Sequence, residues 1–223
     1  MSSRRFDDLV KQGKSVGEII AVDGFLVTAK GLFPANPHAL VMFEDGSKGF
    51  VQHVMHDKVK ILHLGTDSLS IGMMCVMQYK SLVTKVGRGF VGRVISATGE
   101  PLDGKGPIEA DATWPVFKEA PPLYTRKALS DQLTTGVTVI DSLFPIVLGQ
   151  RMAILGESKV GKSTIVTQIA INQKVEERVV VYVMIAKRRA DVDELLTRLT
   201  ENGALDNCIV IVSTLFESLV MTY

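Results

Sequence analysis

Two cysteines among 223 residues are too few for a disulfide framework. Cys75 and Cys208 both sit in apolar, strand-like runs, so buried free thiols and a reducing compartment are expected. No apolar run approaches the ~20 residues of a membrane-spanning helix. The N-terminal Met-Ser-Ser-Arg-Arg-Phe-Asp-Asp lacks the apolar core of a signal peptide. Net charge is only +1 and no basic patch accumulates, so nothing points to nucleic acid. The densest basic run, Lys187-Arg188-Arg189, reads as a solvated turn. Four histidines are scattered (His38, His53, His56, His63). His53 and His56 have a helical ligand spacing but lie in strand-rich sequence with no third ligand nearby, so packing or surface roles are expected rather than a metal. What remains, 46% hydrophobic, is a soluble globular chain with material for one large domain or two smaller ones.

Against that background stands one complete motif. Residues 156–163 read Gly156-Glu157-Ser158-Lys159-Val160-Gly161-Lys162-Ser163, the G-x-x-x-x-G-K-[ST] phosphate-binding loop. Gly156 and Gly161 are expected to free the backbone so that consecutive N–H groups point at phosphate. Lys162 supplies a mobile ammonium for the β/γ-phosphates, and the Ser163 hydroxyl is placed to ligate Mg²⁺. Arg151–Leu155 is short and apolar and predicts a strand before the loop. Ser163–Asn172 has apolar residues at helical spacing, which would put phosphate at a helix N-terminus. The expected ATP/ADP site is therefore residues 156–163 together with Thr164.

A loop of this kind that hydrolyses ATP also needs an acid that orders Mg²⁺ and a group that positions water. Two apolar strands are predicted after the loop helix. Arg178–Ala186 runs into Lys187, and Cys208–Ser213 runs into Thr214. Neither ends in a carboxylate, so no catalytic residue is expected in this chain.

Upstream the texture differs. Residues 1–14 are a polar extension with one or two amphipathic turns through Phe6, Leu9 and Val10. Six short strands follow, over residues 16–22, 25–28, 39–43, 48–51, 59–63 and 73–77. The turns between them lie at Asp23-Gly24, Asp45-Gly46 and Gly65-Thr66-Asp67, and the Asp-Gly pairs suggest type I′ geometry. So many short strands in residues 15–87 predict a closed antiparallel barrel, which leaves no free edge. Residues 98–122 are turn-dense and hold most of the prolines, suggesting an extended wrap over a neighbouring surface. Residues 136–144 look helical. From residue 150, strand, loop, helix, strand, helix (190–202) and strand alternate, the rhythm of a parallel sheet with helices on both faces. This second domain, 88–223, is expected to be incomplete at its C-terminus.

Several segments together carry a family resemblance. Gly92–Pro107, Thr135-Gly136, Ile140–Ile146, and Gly149-Gln150-Arg151 leading into the loop resemble the hexamer subunits of rotary ATP synthases and ATPases. Ile171–Lys174 and Tyr182–Ile185 are similar to the alpha (non-catalytic) subunit of F-type ATP synthase. The likeness runs from about Ser15 to the last residue. It implies an N-terminal β-barrel crown and a RecA-like P-loop domain, with the family's C-terminal helical domain absent. It also implies partners: beta-type catalytic subunits in an alternating hexamer, with central-stalk and peripheral-stalk subunits. The location implied is peripheral on an energy-transducing membrane (cytoplasmic face in a bacterium, matrix face in a mitochondrion), without membrane insertion. Alpha-type subunits bind Mg-ATP without turning it over. Where beta carries its catalytic Glu and alpha a Gln, this chain has Lys187, and its loop interior Glu157–Val160 differs from the usual alpha Asp-Arg-Gln-Thr. The alternatives are a related secretion or transcription-termination motor, or a stand-alone assembly protein with a vestigial loop.

Overall fold

The computed structural model describes residues 2–65, 68–214 and 220. They form two units that interleave along the chain: residues 2–86 with 112–118, and residues 87–111 with 119–214.

The first unit opens with helix α1 (Ser2–Lys11), longer than the one or two turns expected. Phe6 and Leu9, one turn apart, bury against Met42 and Val76, while Val10 stays partly exposed. Six strands then close a barrel: β1 (Val16–Asp23), β2 (Leu26–Lys30), β3 (Leu40–Phe43), β4 (Lys48–Val54), β5 (Lys58–His63) and β6 (Met74–Tyr79). Around the barrel the order is β1-β2-β5-β4-β3-β6, antiparallel throughout. Alternate residues turn inward, so Ile19, Val27, Phe43, Val51, Val59, Ile61 and Cys75 make a dry interior. Gly49 is required there, because a Cβ would lie 2.8 Å from both Ile61 Cγ2 and the Leu62 carbonyl.

The hairpin turns are not type I′. At the β1–β2 loop only Gly24 has positive φ (58°), and it occupies the first of two loop positions, the pattern of a type II′ turn. In the four-residue β3–β4 loop, Gly46 (φ 86°) donates its N–H to the Phe43 carbonyl, while the Asp45 carboxylate accepts from Ser47 N–H at 2.8 Å. Thr66 and Asp67 lie outside the described residues. Strand β7 (Val83–Val86) follows the barrel. The next strand, β8 (Val94–Ser96), belongs to the second unit, and β9 (Ala112–Pro115) then pairs antiparallel with β7.

In the second unit, β10 (Gln132–Leu133) pairs with β11 (Ile146–Val147), bracketing α2 (Thr138–Leu143). After the phosphate-binding loop come α3 (Lys162–Asn172), β12 (Val180–Lys187), α4 (Arg189–Glu201) and β13 (Cys208–Thr214). The sheet is parallel, in the order β12-β13-β8. Its core holds Met184, Val94, Cys208, Val210 and Val212 against Val192, Leu195 and Leu199 of α4. Ile171 of α3 packs on the same cluster, and Thr167 meets Tyr182 at 3.2 Å.

Two expectations fail here. Both helices lie on one face of the sheet, that of Val180, Tyr182 and Met184. The other face leaves Val181, Val183 and Ile185 more than half exposed. Among the described residues, no element covers it as a two-sided parallel sheet requires. Secondly, residues 151–155 form no strand, and Leu155 is 89% exposed. An apolar run becomes a strand only when a neighbour takes up its N–H and C=O groups. No ladder partner is present for it among the described residues.

Candidate functional site: the phosphate-binding loop and its pocket

Of the segments that carried the resemblance, one folds back on β8 and another is tied to the end of the loop helix. Arg93 grips Asp103 with two bonds, from Nε (2.6 Å) and Nη2 (2.9 Å), and also donates to the Gly106 carbonyl at 2.7 Å. Asp103 further accepts the Val94 and Lys105 N–H groups, so the Asp-Gly-Lys-Gly turn is folded back onto β8. The Arg93 guanidinium, and then those N–H groups, hold the Asp103 carboxyl well below the usual carboxylate range.

A second knot ties residues 134–141 to the C-terminal end of α3. The Asp141 carboxylate accepts from Thr135 Oγ1 (2.7 Å), Thr135 N–H (2.9 Å) and Gly136 N–H (2.9 Å). The Thr135 hydroxyl, then its N–H, lower the Asp141 pKa. Asn172 Nδ2 donates to the Thr135 carbonyl at 2.7 Å, and Gln173 Nε2 donates to that of Thr134 at 2.8 Å. Gly136, at φ 75°, passes so close to Asn172 that a Cβ would lie 1.9 Å from Nδ2.

The loop itself ends in Gly161, left-handed at φ 93°, which is also the N-cap of α3 and offers no side-chain cap. The first N–H groups of α3 are thus left for an external acceptor, and the helix dipole favours an anion there. The second left-handed loop position is Lys159 (φ 65°), not Gly156. At Gly156 space is tight but not closed: a Cβ would stand 3.1 Å from Cγ2 of the exposed Val160, which would have to shift slightly. Lys162 Nζ donates back to the Gly156 carbonyl at 2.9 Å and to that of Glu157. Its stem is flexible, so transfer of the ammonium to phosphate needs only a rotamer change.

Beside the loop lies a pocket of about 630 Å³. Ser158, Lys159, Gly161, Lys162, Ser163 and Thr164 line it from the loop and α3, while Gly156, Glu157 and Val160 stand outside its lining. β12 and α4 contribute Tyr182, Lys187, Arg188 and Asp191 among others. Sequence reasoning missed Tyr182, Arg188 and Asp191, because nothing local signals which strand and helix will pack beside the loop. Arg188 is tied to Asp191 at 3.0 and 3.2 Å, and Glu194 to Arg198 at 3.3 Å, so both lining carboxylates already have cationic partners. No group of three His, Cys, Asp or Glu that could hold a metal exists among the described residues. The exposed Ser163 hydroxyl fits a Mg²⁺ held jointly with nucleotide phosphates, not a cage made of protein alone.

A triad-like chain in the barrel is structural. Ser47 Oγ donates to Asp45 Oδ1 (2.7 Å), and His63 Nε2 bonds Ser47 Oγ (2.9 Å). A nucleophilic serine directs its proton at imidazole with the acid behind it. Here the serine stands in the middle, and its proton goes to the carboxylate.

The loop's surroundings agree with what known proteins show. A sequence model of the ATP synthase alpha/beta family, nucleotide-binding domain, matches residues 136–223. The chain is 33% identical over 216 residues to ATP synthase subunit alpha 2 of Legionella pneumophila (strain Corby), covering 96% of this chain and 42% of that protein. It is 34% identical over 217 residues to ATP synthase subunit alpha of Pseudomonas paraeruginosa (strain DSM 24068 / PA7), covering 97% and 42%. With that of Sulfurovum sp. (strain NBC37-1) it shares 34% over 197 residues, covering 88% and 39%. The chain thus spans about two-fifths of the length of these relatives. Residues 136–223 thus match the ATP synthase alpha/beta nucleotide-binding family, and the chain is similar along nearly its whole length to ATP synthase alpha subunits.

Proposed function

We propose that this chain is a non-catalytic, Mg-ATP-binding alpha-type subunit of a rotary, proton-translocating F-type ATP synthase. In this reading residues 15–87 are the barrel crown and residues 88–223 a RecA-like P-loop domain. Residues 156–164 hold the nucleotide, with Ser163 completing the shell of Mg²⁺. The metal would neutralise phosphate charge. The loop N–H groups and Lys162 would bind and orient the β- and γ-phosphates. The partners are beta-type catalytic subunits in an alternating hexamer and the two stalks, with the assembly peripheral on an energy-transducing membrane. None of the described helices is long and apolar enough to cross a membrane.

The observation that carries the reading is the pairing of an intact Gly161-Lys162-Ser163 helix start with a lysine, Lys187, at the end of the neighbouring strand. A lysine cannot orient an attacking water as a carboxylate does. Calorimetry with Mg-ATP and Mg-ADP tests it. The chain should bind both weakly, and Lys162→Ala should weaken binding roughly 10- to 150-fold, beyond detection for a weak site, because one charge-assisted contact contributes about 1.5–3 kcal/mol. Equal affinities in the two proteins would place the nucleotide elsewhere. Turnover by this chain alone, lost in Lys162→Ala, would overturn the non-catalytic assignment.

A further inference from the structure

The register of β12 against β13 holds an irregularity at the mouth of the pocket. Val180, Tyr182 and Met184 pair with Cys208, Val210 and Val212, residue for residue, and all face α3 and α4. A regular strand would continue by pairing residue 186 with Thr214. Instead Lys187 pairs with Thr214, so β12 carries one extra residue. Ala186, within that bulge, sits at φ 51°, a left-handed conformation unfavourable for an alanine.

The extra residue changes which way the lysine points. By strict alternation Lys187 would join Val181, Val183 and Ile185 on the uncovered face. The bulge shifts its phase by one, into step with Tyr182 and Met184, and Lys187 lines the pocket with Lys162, Ser163 and Tyr182, a pocket that also reaches Val183 along the edge strand β12. A strained residue persists only where its surroundings over-determine it, and such strain gathers at binding sites. The other strand-side and helix-side cations of the pocket are engaged, Arg188 with Asp191 and Arg198 with Glu194. The Lys187 ammonium makes no hydrogen bond or ion pair within 4 Å among the described residues, although its charge, after that of Arg188, helps lower the pKa of nearby Asp191.

We infer that Lys187 is a second phosphate-binding cation that makes the site prefer nucleoside triphosphate over diphosphate. The inference rests on the nucleotide reading above. The loop N–H groups and Lys162 enclose the phosphates nearest the loop. A cation delivered by a different element meets the outermost group, which a diphosphate lacks. Its role is recognition, since an ammonium adds charge complementarity but no water-positioning acceptor.

The test is calorimetry of the full 223-residue chain with ATP and with ADP, each with Mg²⁺, for wild type, Lys187→Gln and Lys187→Arg. The side chain is exposed, so neither substitution threatens the fold. Lys187→Gln should weaken ATP binding about tenfold, the loss of one charge-assisted contact, and leave ADP affinity unchanged. Lys187→Arg should keep the ATP preference. An unchanged ATP-to-ADP ratio in Lys187→Gln would overturn this inference and leave the nucleotide reading standing. Failure of the wild-type chain to bind either nucleotide would overturn both.

Discussion

Gly136→Ala isolates the knot between the 134–141 loop and α3. Two costs can be read from the geometry. At φ 75° an alanine is held in the left-handed region, at about 1–2 kcal/mol. Its Cβ would also stand 1.9 Å from Asn172 Nδ2 and 2.7 Å from Cγ, so the Asn172 amide must leave. Its departure strips the Thr135 carbonyl of a 2.7 Å hydrogen bond at a residue with no exposed surface. An orphaned buried acceptor costs about 1–3 kcal/mol. The expected total is about 2–5 kcal/mol, confined to the second unit. Native-state hydrogen exchange read on α3 and β12 measures it, with the barrel strands as internal control. The two costs separate in a double-mutant cycle. In an Asn172→Ala background the amide is already gone, so Gly136→Ala should cost only the conformational part. Equal costs in both backgrounds would refute the close-approach argument. A total below about 1 kcal/mol would refute the left-handed one as well.

The Asp103 carboxyl is held low in the folded chain, so its contribution is complete above the unfolded carboxylate value of about 4 and drains as pH falls below it. Asp103→Asn should therefore lower stability near neutrality and flatten the acid limb below about pH 4, read by urea midpoints across pH; parallel limbs in the two proteins would count against the pairing. Burial pushes the Cys75 thiol up to about 12 and raises that of Cys208, so neither should react with a thiol-specific reagent at pH 8 until the chain is unfolded. Fast labelling of Cys75 in the native protein would mean that the barrel interior opens.

The barrel was legible because its signal is local. Six apolar runs separated by Asp-Gly and Gly-rich turns name both the strands and the need to close them. Even there the turn type was misread. The same Asp-Gly dipeptide can fill both central positions of a type I′ turn or straddle the edge of another turn, and only the register of the flanking strands distinguishes them. Helices α2, α3 and α4 were legible through their apolar spacing. The pairing of β8 with β13 was not, because Val94 and Val210 lie more than a hundred residues apart and parallel strands carry no turn between them. For the same reason Arg151–Leu155 was read as a strand. Composition reports that a run is apolar, not whether a partner strand will take its hydrogen bonds.

The site divides along the same line. The loop residues are contiguous, and each states its own chemistry. The residues that hold the loop helix in place do not. Thr135, Asp141, Asn172 and Gln173 look like ordinary polar residues in sequence, and were noticed only because the segments containing them resembled a family. Their physical content appears when the chain folds: one carboxylate collects three donors from Thr135 and Gly136, and two amides, from the last residue of α3 and the residue after it, reach back to the carbonyls of Thr135 and Thr134. Lys187 is the sharper case. Read as a position, it replaces a carboxylate or amide and subtracts a function. Read in the register of β12, it is a charge turned toward the phosphate-binding loop by one inserted residue, with Ala186 held in a conformation alanine avoids. Had the strand run on without the bulge, the same lysine would fall into step with Val181, Val183 and Ile185 and out of step with Tyr182 and Met184, the strand residues that face the two helices.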